Sequence, residues 1–140
     1  MKTYYIPTST LNFTNVLSTE SISPAAFYSM RTFGVKGWTS VEENPMGDVI
    51  LLYDRAKSFS RGDSEQEDHP MLIAIQTDEQ FPLYTEGIYF SAHTLYLDPW
   101  HTSFIFFTDN DIRSALSQSE LYLEQKTLSL YKHITTDALT

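Results

Sequence analysis

The chain has 140 residues, with nine Lys and Arg against eighteen Asp and Glu, a formal net charge of −9 and 41% hydrophobic residues. That charge opposes direct binding to DNA or RNA, which needs clustered cations against phosphate. The absence of Cys excludes disulfides, thiolate catalysis and Cys-ligated zinc, and it fits a reducing compartment.

The length suits a single domain, residues 1–140, and a domain of this size buries roughly two thirds of the surface its unfolded chain exposes. The opening MKTYYIPTST has no apolar run of signal-peptide length, and no window reaches the roughly 18 apolar residues of a membrane span. The expected setting is the cytoplasm, away from membrane.

Residues 3–6 (TYYI) read as a short strand that Pro7 ends, since Pro donates no ladder hydrogen bond. Thr8, Ser9 and Thr10 offer capping oxygens to a helix over residues 11–18, with Phe13, Val16 and Leu17 on its buried face. Ser23 and Pro24 open a second short helix that carries Ala26, Phe27 and Met30 to a stop at Gly34. After an irregular segment around Trp38, DVILLY (48–53) is a compact apolar run and reads as a buried strand. Residues 54–69 are the most polar window and read as an exposed loop.

MLIAIQ (71–76), GIYFS (87–91), TLYL (94–97) and SFIFF (103–107) then follow as strands, and the short connections between the last three favour an antiparallel meander. At Thr108 the period changes. Thr108 and Asp111 have the form of a capping box, and Ile112, Ala115, Leu116, Ser119, Leu123, Lys126, Leu130 and Ile134 trace one face of a long helical tract. Leu121, Tyr122, Leu128 and Tyr131 lie off that stripe, so the helix is expected to pack on the sheet with one face and on a partner, a further part of a longer chain or another copy with the other. The end HITTDALT carries no Gly or Pro stop, as in the N-terminal domain of a longer protein. The expected fold is α+β: a mixed or mostly antiparallel sheet of five or six strands, two short N-terminal helices and a long C-terminal helix.

Motifs for chemistry are sparse. His69, His93, His101 and His133 show no metal-ligand spacing, so no metal site is expected. Neither a GxSxG elbow nor a phosphate-binding Gly loop occurs. The segment DSEQED (63–68) lacks the DxDxDG pattern of a calcium loop and reads as a solvated acidic surface.

The segment YYIPTSTLNFTNVLSTESISP (4–24) places a Tyr5-Ile6-Pro7-Thr8 step at a strand end, Asn15-Val16-Leu17 in a helix and Ile22-Ser23-Pro24 after it. It resembles the opening of ADP-ribosyltransferase-like proteins, and Gln118-Ser119-Glu120 matches the letters of that family's Gln/Glu-x-Glu signature. The resemblance implies NAD as cofactor, with Glu120 orienting the ribose hydroxyl and Gln118 beside it. It also implies Tyr5 and Thr8 at the first motif, and Tyr89 or Tyr96 stacked on nicotinamide. Ile6 stands where that family places a His or Arg gripping NAD, and residues 118–120 fall within the helical tract, where the family has a strand.

The expectation is a non-enzymatic protein–protein interaction module, or an inhibitor, of a bacterial or phage system. It would need no cofactor, and Asp63, Glu65, Glu67, Asp68 and Trp100 would meet a partner with a basic surface. The alternative is an NAD-dependent ADP-ribosyltransferase-like enzyme, active or degenerate.

Overall fold

Nine strands and one helix are defined in the computed structural model, which describes residues 1–24, 49–55, 70–106, 111 and 134–135. In chain order they are β1 (Lys2–Ser9), α1 (Phe13–Thr19), β2 (Ser21–Ile22), β3 (Ile50–Tyr53), β4 (Pro70–Thr77), β5 (Leu83–Thr85), β6 (Ile88–Ser91), β7 (Leu95–Tyr96), β8 (Thr102–Phe106) and β9 (Ile134–Thr135). A 3-10 turn, Thr10–Asn12, leads from β1 into α1. Seven strands form one sheet in the order β5-β6-β3-β1-β4-β8-β9, and β2 pairs with β7 in a separate ribbon. Every pairing is antiparallel except that of β8 with β9.

The alternation along each strand sorts the side chains onto two faces. Tyr4, Ile6, Ile50, Leu52, Met71, Ile73, Ile75, Phe104 and Phe106 share one core, into which α1 drops Phe13, Val16 and Leu17 and the ribbon adds Ile22 and Leu95. Leu51, Tyr53, Leu72, Ala74 and Ile105 form a second core on the opposite face. Register enforces this separation: Ile6 lies opposite Ile73, which lies opposite Phe104, while Leu72 lies opposite Ile105. Both faces are therefore apolar. This explains why 48–53 and 71–76 read as continuous apolar runs rather than alternating ones.

Several expectations are corrected. The described residues are mostly β, 53% of them in strands, and α1 is their one helix of seven residues or more, so the α+β class does not hold. Among the described residues six strands of the main sheet pair antiparallel, in line with a mostly antiparallel sheet of five or six, and β9 joins β8 in parallel as a seventh. Pro7 does not end β1, which runs on to Ser9 with Pro7 opposite Leu72. Pairing of β1 with β3 is confined to Tyr5 and Tyr53, so Pro7 can turn its missing donor to the side where no ladder continues. The three strands expected as a meander are not neighbours: β3, β1 and β4 separate β6 from β8, and β7 leaves the sheet for β2. Ile134, expected on the helical stripe, is in β9 opposite Phe104, in keeping with the β preference of Ile and Thr. Most of the second short helix (residues 25–34) and of the long C-terminal tract (108–133, Asp111 aside) lies outside the described residues.

α1 starts at Asn12, whose side chain donates to Thr8 Oγ1 at 3.2 Å and makes no cap to the helix. It ends at Glu20, which takes the left-handed conformation (φ 52°) and turns the chain into β2. The Glu20 carbonyl accepts the Leu97 N–H at 2.8 Å, and the Ser23 and Thr94 hydroxyls share a hydrogen bond at 3.1 Å. These bonds and the β2–β7 pairing hold residues 92–101 over the end of β4, which shapes the cleft described next.

Candidate binding cleft

Between the end of β4 and the 92–101 excursion lies a cleft of about 550 Å³. Its floor and walls include Ile75, Thr77, Leu95, Leu97 and Thr102, and its rim carries Asp78, Glu79, Asp98, His93, His101 and Tyr96. Three lining residues are carboxylates and none of the described ones is Lys or Arg. The Met1 amine approaches Asp78 Oδ1 at 3.5 Å across the exposed rim.

Three short turns place the polar side chains, each built on a side-chain oxygen that captures the N–H two residues on. At the end of β4, Thr77 Oγ1 accepts from Glu79 N at 3.0 Å. After β6, the buried Ser91 hydroxyl accepts from His93 N at 3.3 Å and donates to the His93 carbonyl at 3.0 Å. After β7, Asp98 Oδ1 accepts from Trp100 N at 2.9 Å. Asp98-Pro99-Trp100-His101 is a β-turn with its His101 N to Asp98 O bond at 3.0 Å. Asp at the first position and Pro at the second suit a type I turn. The His101 carbonyl then accepts from Gln76 N at 2.9 Å, which fixes the turn against β4.

Both cleft histidines are held by carboxylates. His101 Nδ1 lies 2.6 Å from Asp98 Oδ2, and His93 Nε2 lies 3.3 Å from Glu79 Oε1. A carboxylate only accepts, so the proton sits on Nδ1 of His101 and on Nε2 of His93. The His101 bond first, and the Trp100 N–H second, hold the Asp98 carboxyl below its ordinary value of 3.8. Asp98 therefore stays anionic further into acid than a free carboxylate. Among the described residues neither imidazole is hydrogen-bonded to a Ser, Thr or Tyr hydroxyl, and no group of three His, Asp or Glu is placed to hold a metal ion.

Apolar alternation continues through the excursion: Leu95 and Leu97 point to the core while Tyr96 and Asp98 face solvent. Tyr96 is 83% exposed and Trp100 72% exposed. Trp100 shares a smaller depression with Gln76, His101 and Ser103, next to the cleft.

The residues singled out from sequence are scattered by the fold. Tyr5 packs on the second core, on the opposite face from Thr8 and Tyr89. Thr8 is fully buried, Tyr89 packs beside Tyr4, and Tyr96 stands on the separate ribbon. These four do not converge on one cofactor site. Trp100 is exposed, in the smaller depression next to the cleft. Gln118, Glu120, Asp63, Glu65, Glu67 and Asp68 lie outside the described residues.

Sequence reasoning missed Asp78, Glu79, His93 and Asp98 as a group. The Asp-Pro pair at 98–99 is a turn signal that could have located Asp98 and His101, whereas nothing local relates Glu79 to His93, fourteen residues on. No protein-family model matches the sequence, and comparisons with curated proteins and with solved structures return no match. Among the described residues no helix is long and apolar enough to cross a membrane.

Proposed function

We propose that this chain is a non-enzymatic protein-interaction module or inhibitor of a bacterial or phage system, acting in the cytoplasm on a partner with a basic surface. The contact is the cleft, and the observation that carries the reading is the company its carboxylates keep. Tyr96, largely exposed, lines the cleft with Asp78, Glu79 and Asp98, and the equally exposed Trp100 stands next to Asp98 in the adjoining depression. Exposed aromatic rings next to carboxylates suit Arg and Lys side chains, which stack on the ring and pair with the acid at once. Trp, Tyr and Arg also dominate the energetics of protein interfaces. The net charge of −9 adds long-range attraction for a cationic partner and raises its association rate. The acidic segment 63–68, outside the described residues, adds charge of the same sign.

An Arg-rich decapeptide titrated calorimetrically at low and at physiological salt tests this. Binding is expected, weakening as salt rises, and the paired variant Glu79→Gln with Asp98→Asn should reduce it severalfold. Equal binding of an acidic decapeptide, or indifference to the paired variant, would overturn the reading. Saturable binding of NAD in the same cell would turn the case towards the transferase-like alternative.

A further inference from the structure

The cleft has a companion. Across the ridge formed by Thr77, Asp78 and Glu79 lies a second depression of about 480 Å³, lined by those three residues together with Met1, Lys2, Tyr4, Gln80, Phe81 and Tyr89. Its aromatic wall is built edge to face. The Tyr4 ring meets Phe81 at 5.2 Å and 87°, and Tyr89 at 5.5 Å and 75°. Tyr4 and Phe81 are buried, so the wall is set by the core and does not depend on a partner for its shape. Tyr89 is partly buried, and Lys2 Nζ lies over its ring, 5.5 Å from the centroid.

We infer that this depression is a cation subsite, occupied at rest by the chain's own Lys2, and that it receives a second basic side chain of the partner that fills the cleft. This rests on the reading of the cleft as a basic-partner site. A ring face attracts a cation through its quadrupole, and the Lys2 ammonium already sits at that distance. The Asp78 and Glu79 carboxylates line both depressions, with the Met1 ammonium 3.5 Å from Asp78 and the His93 ring 3.3 Å from Glu79, so an extended segment that crosses the ridge with two cationic residues competes with these contacts for the two acids. Lys2 is exposed and returns its ammonium to water when displaced. An arriving guanidinium offers a flat surface that stacks on Tyr89 better than the ammonium it replaces. Lys2 thus acts as a competing internal ligand that favours partners carrying Arg at the second position.

The experiment is a double-mutant cycle read with the Arg-rich decapeptide. Lys2→Met, which keeps the apolar stem and removes the charge, should tighten binding roughly two- to five-fold, the range of one exposed cation–π contact. Tyr89→Leu should weaken binding by a similar factor, while Tyr89→Phe, which keeps the ring, should bind like the parent and controls for folding. In the Tyr89→Leu background Lys2→Met should gain less, because the ring for which the two cations compete is gone. Equal gain in both backgrounds means that Lys2 acts only through net charge, and the subsite falls while the cleft stands. Guanidinium chloride titrated at low, non-denaturing concentration against the Tyr89 ring resonances checks the subsite without the peptide. No shift there, with no peptide binding, overturns both the subsite and the cleft.

Discussion

Asp98 and His101 are joined twice across a single turn, His101 N to the Asp98 carbonyl at 3.0 Å and His101 Nδ1 to the Asp98 carboxylate at 2.6 Å. One residue pair therefore closes the turn and fixes an imidazole at the rim of the cleft. Because the carboxylate is held by hydrogen bonds that exist only in the folded chain, its charge is linked to folding.

The sign of that linkage is set by the lowered value of Asp98, below 3.8. A carboxyl with a depressed folded-state pKa contributes stability that is present above 3.8 and lost as pH falls through the folded value. Asp98→Asn keeps a side-chain oxygen for the Trp100 N–H but removes the charge. The stability gap between parent and variant should be full at neutral pH and should close below pH 3.8. Urea unfolding across a pH series measures it, and a gap as wide at pH values near 2 as at neutrality would count against the ionised bond.

The hairpin between β5 and β6 turns on Gly87, which has φ +80° and whose carbonyl accepts a hydrogen bond from Asp54 N at 3.0 Å. A Cβ there would stand 3.2 Å from Asp54 Oδ1. Gly87→Ala should therefore cost about 1–3 kcal/mol in urea unfolding, the range for a non-Gly residue held in the left-handed region. Gly87→Asn should cost less, since Asn adopts that region more readily. Equal stability of all three would show that the turn relaxes to another form.

Phe13 is where α1 meets the sheet. It is fully buried, with its ring edge to face against Phe104 at 4.9 Å and Phe106 at 5.6 Å. Truncation to Ala leaves a cavity between helix and β8 and should cost roughly 3–5 kcal/mol. That is a large share of the roughly 5–15 kcal/mol of a typical domain. Phe13→Leu should cost less, because Leu refills part of the space. Denaturant midpoints for the two variants decide the matter, and a mild Phe13→Ala would mean that α1 is not packed on β8 in solution.

Much of this packing was legible because its signal is local. The apolar runs at 48–53, 71–76 and 103–107 mark β3, β4 and β8, and the helical spacing of Phe13, Val16 and Leu17 marks α1 and its buried face. β5 was not legible. It has three residues, two of them exposed, and a register shift between Leu83 and Thr85, so neither length nor alternation announces it. Strand order was hidden for another reason. TLYL has the residues of any strand, and what sends it to β2 is the burial of Leu95 and Ile22 against a core assembled from distant segments. The cleft shared this fate. Asp98 and His101 are three residues apart and sit in a turn with its own sequence mark, but Glu79 and His93 meet only because β4 and β6 both end at this edge of the fold.

Tyr96 and Trp100 separate folding from binding most cleanly. Both rings are largely exposed, at 83% and 72%, so neither contributes much buried area to the core. Surface substitutions of this kind usually shift stability by no more than about 0.5 kcal/mol. Trp100→Ser keeps the backbone N–H that Asp98 accepts, and Tyr96→Ser keeps the β7 pairing with Ser21. The double variant should therefore unfold at nearly the parent urea midpoint. If the rings are the anchors of the basic-partner contact, the same variant should lose most of its affinity for the Arg-rich decapeptide, since anchor residues cost upwards of about 2 kcal/mol when truncated. The residual binding should be more salt-sensitive in proportion, because the carboxylates of Asp78, Glu79 and Asp98 would then carry it alone. Parent-like affinity in a variant with parent-like stability would leave Tyr96 and Trp100 as bystanders and confine the contact to the acids.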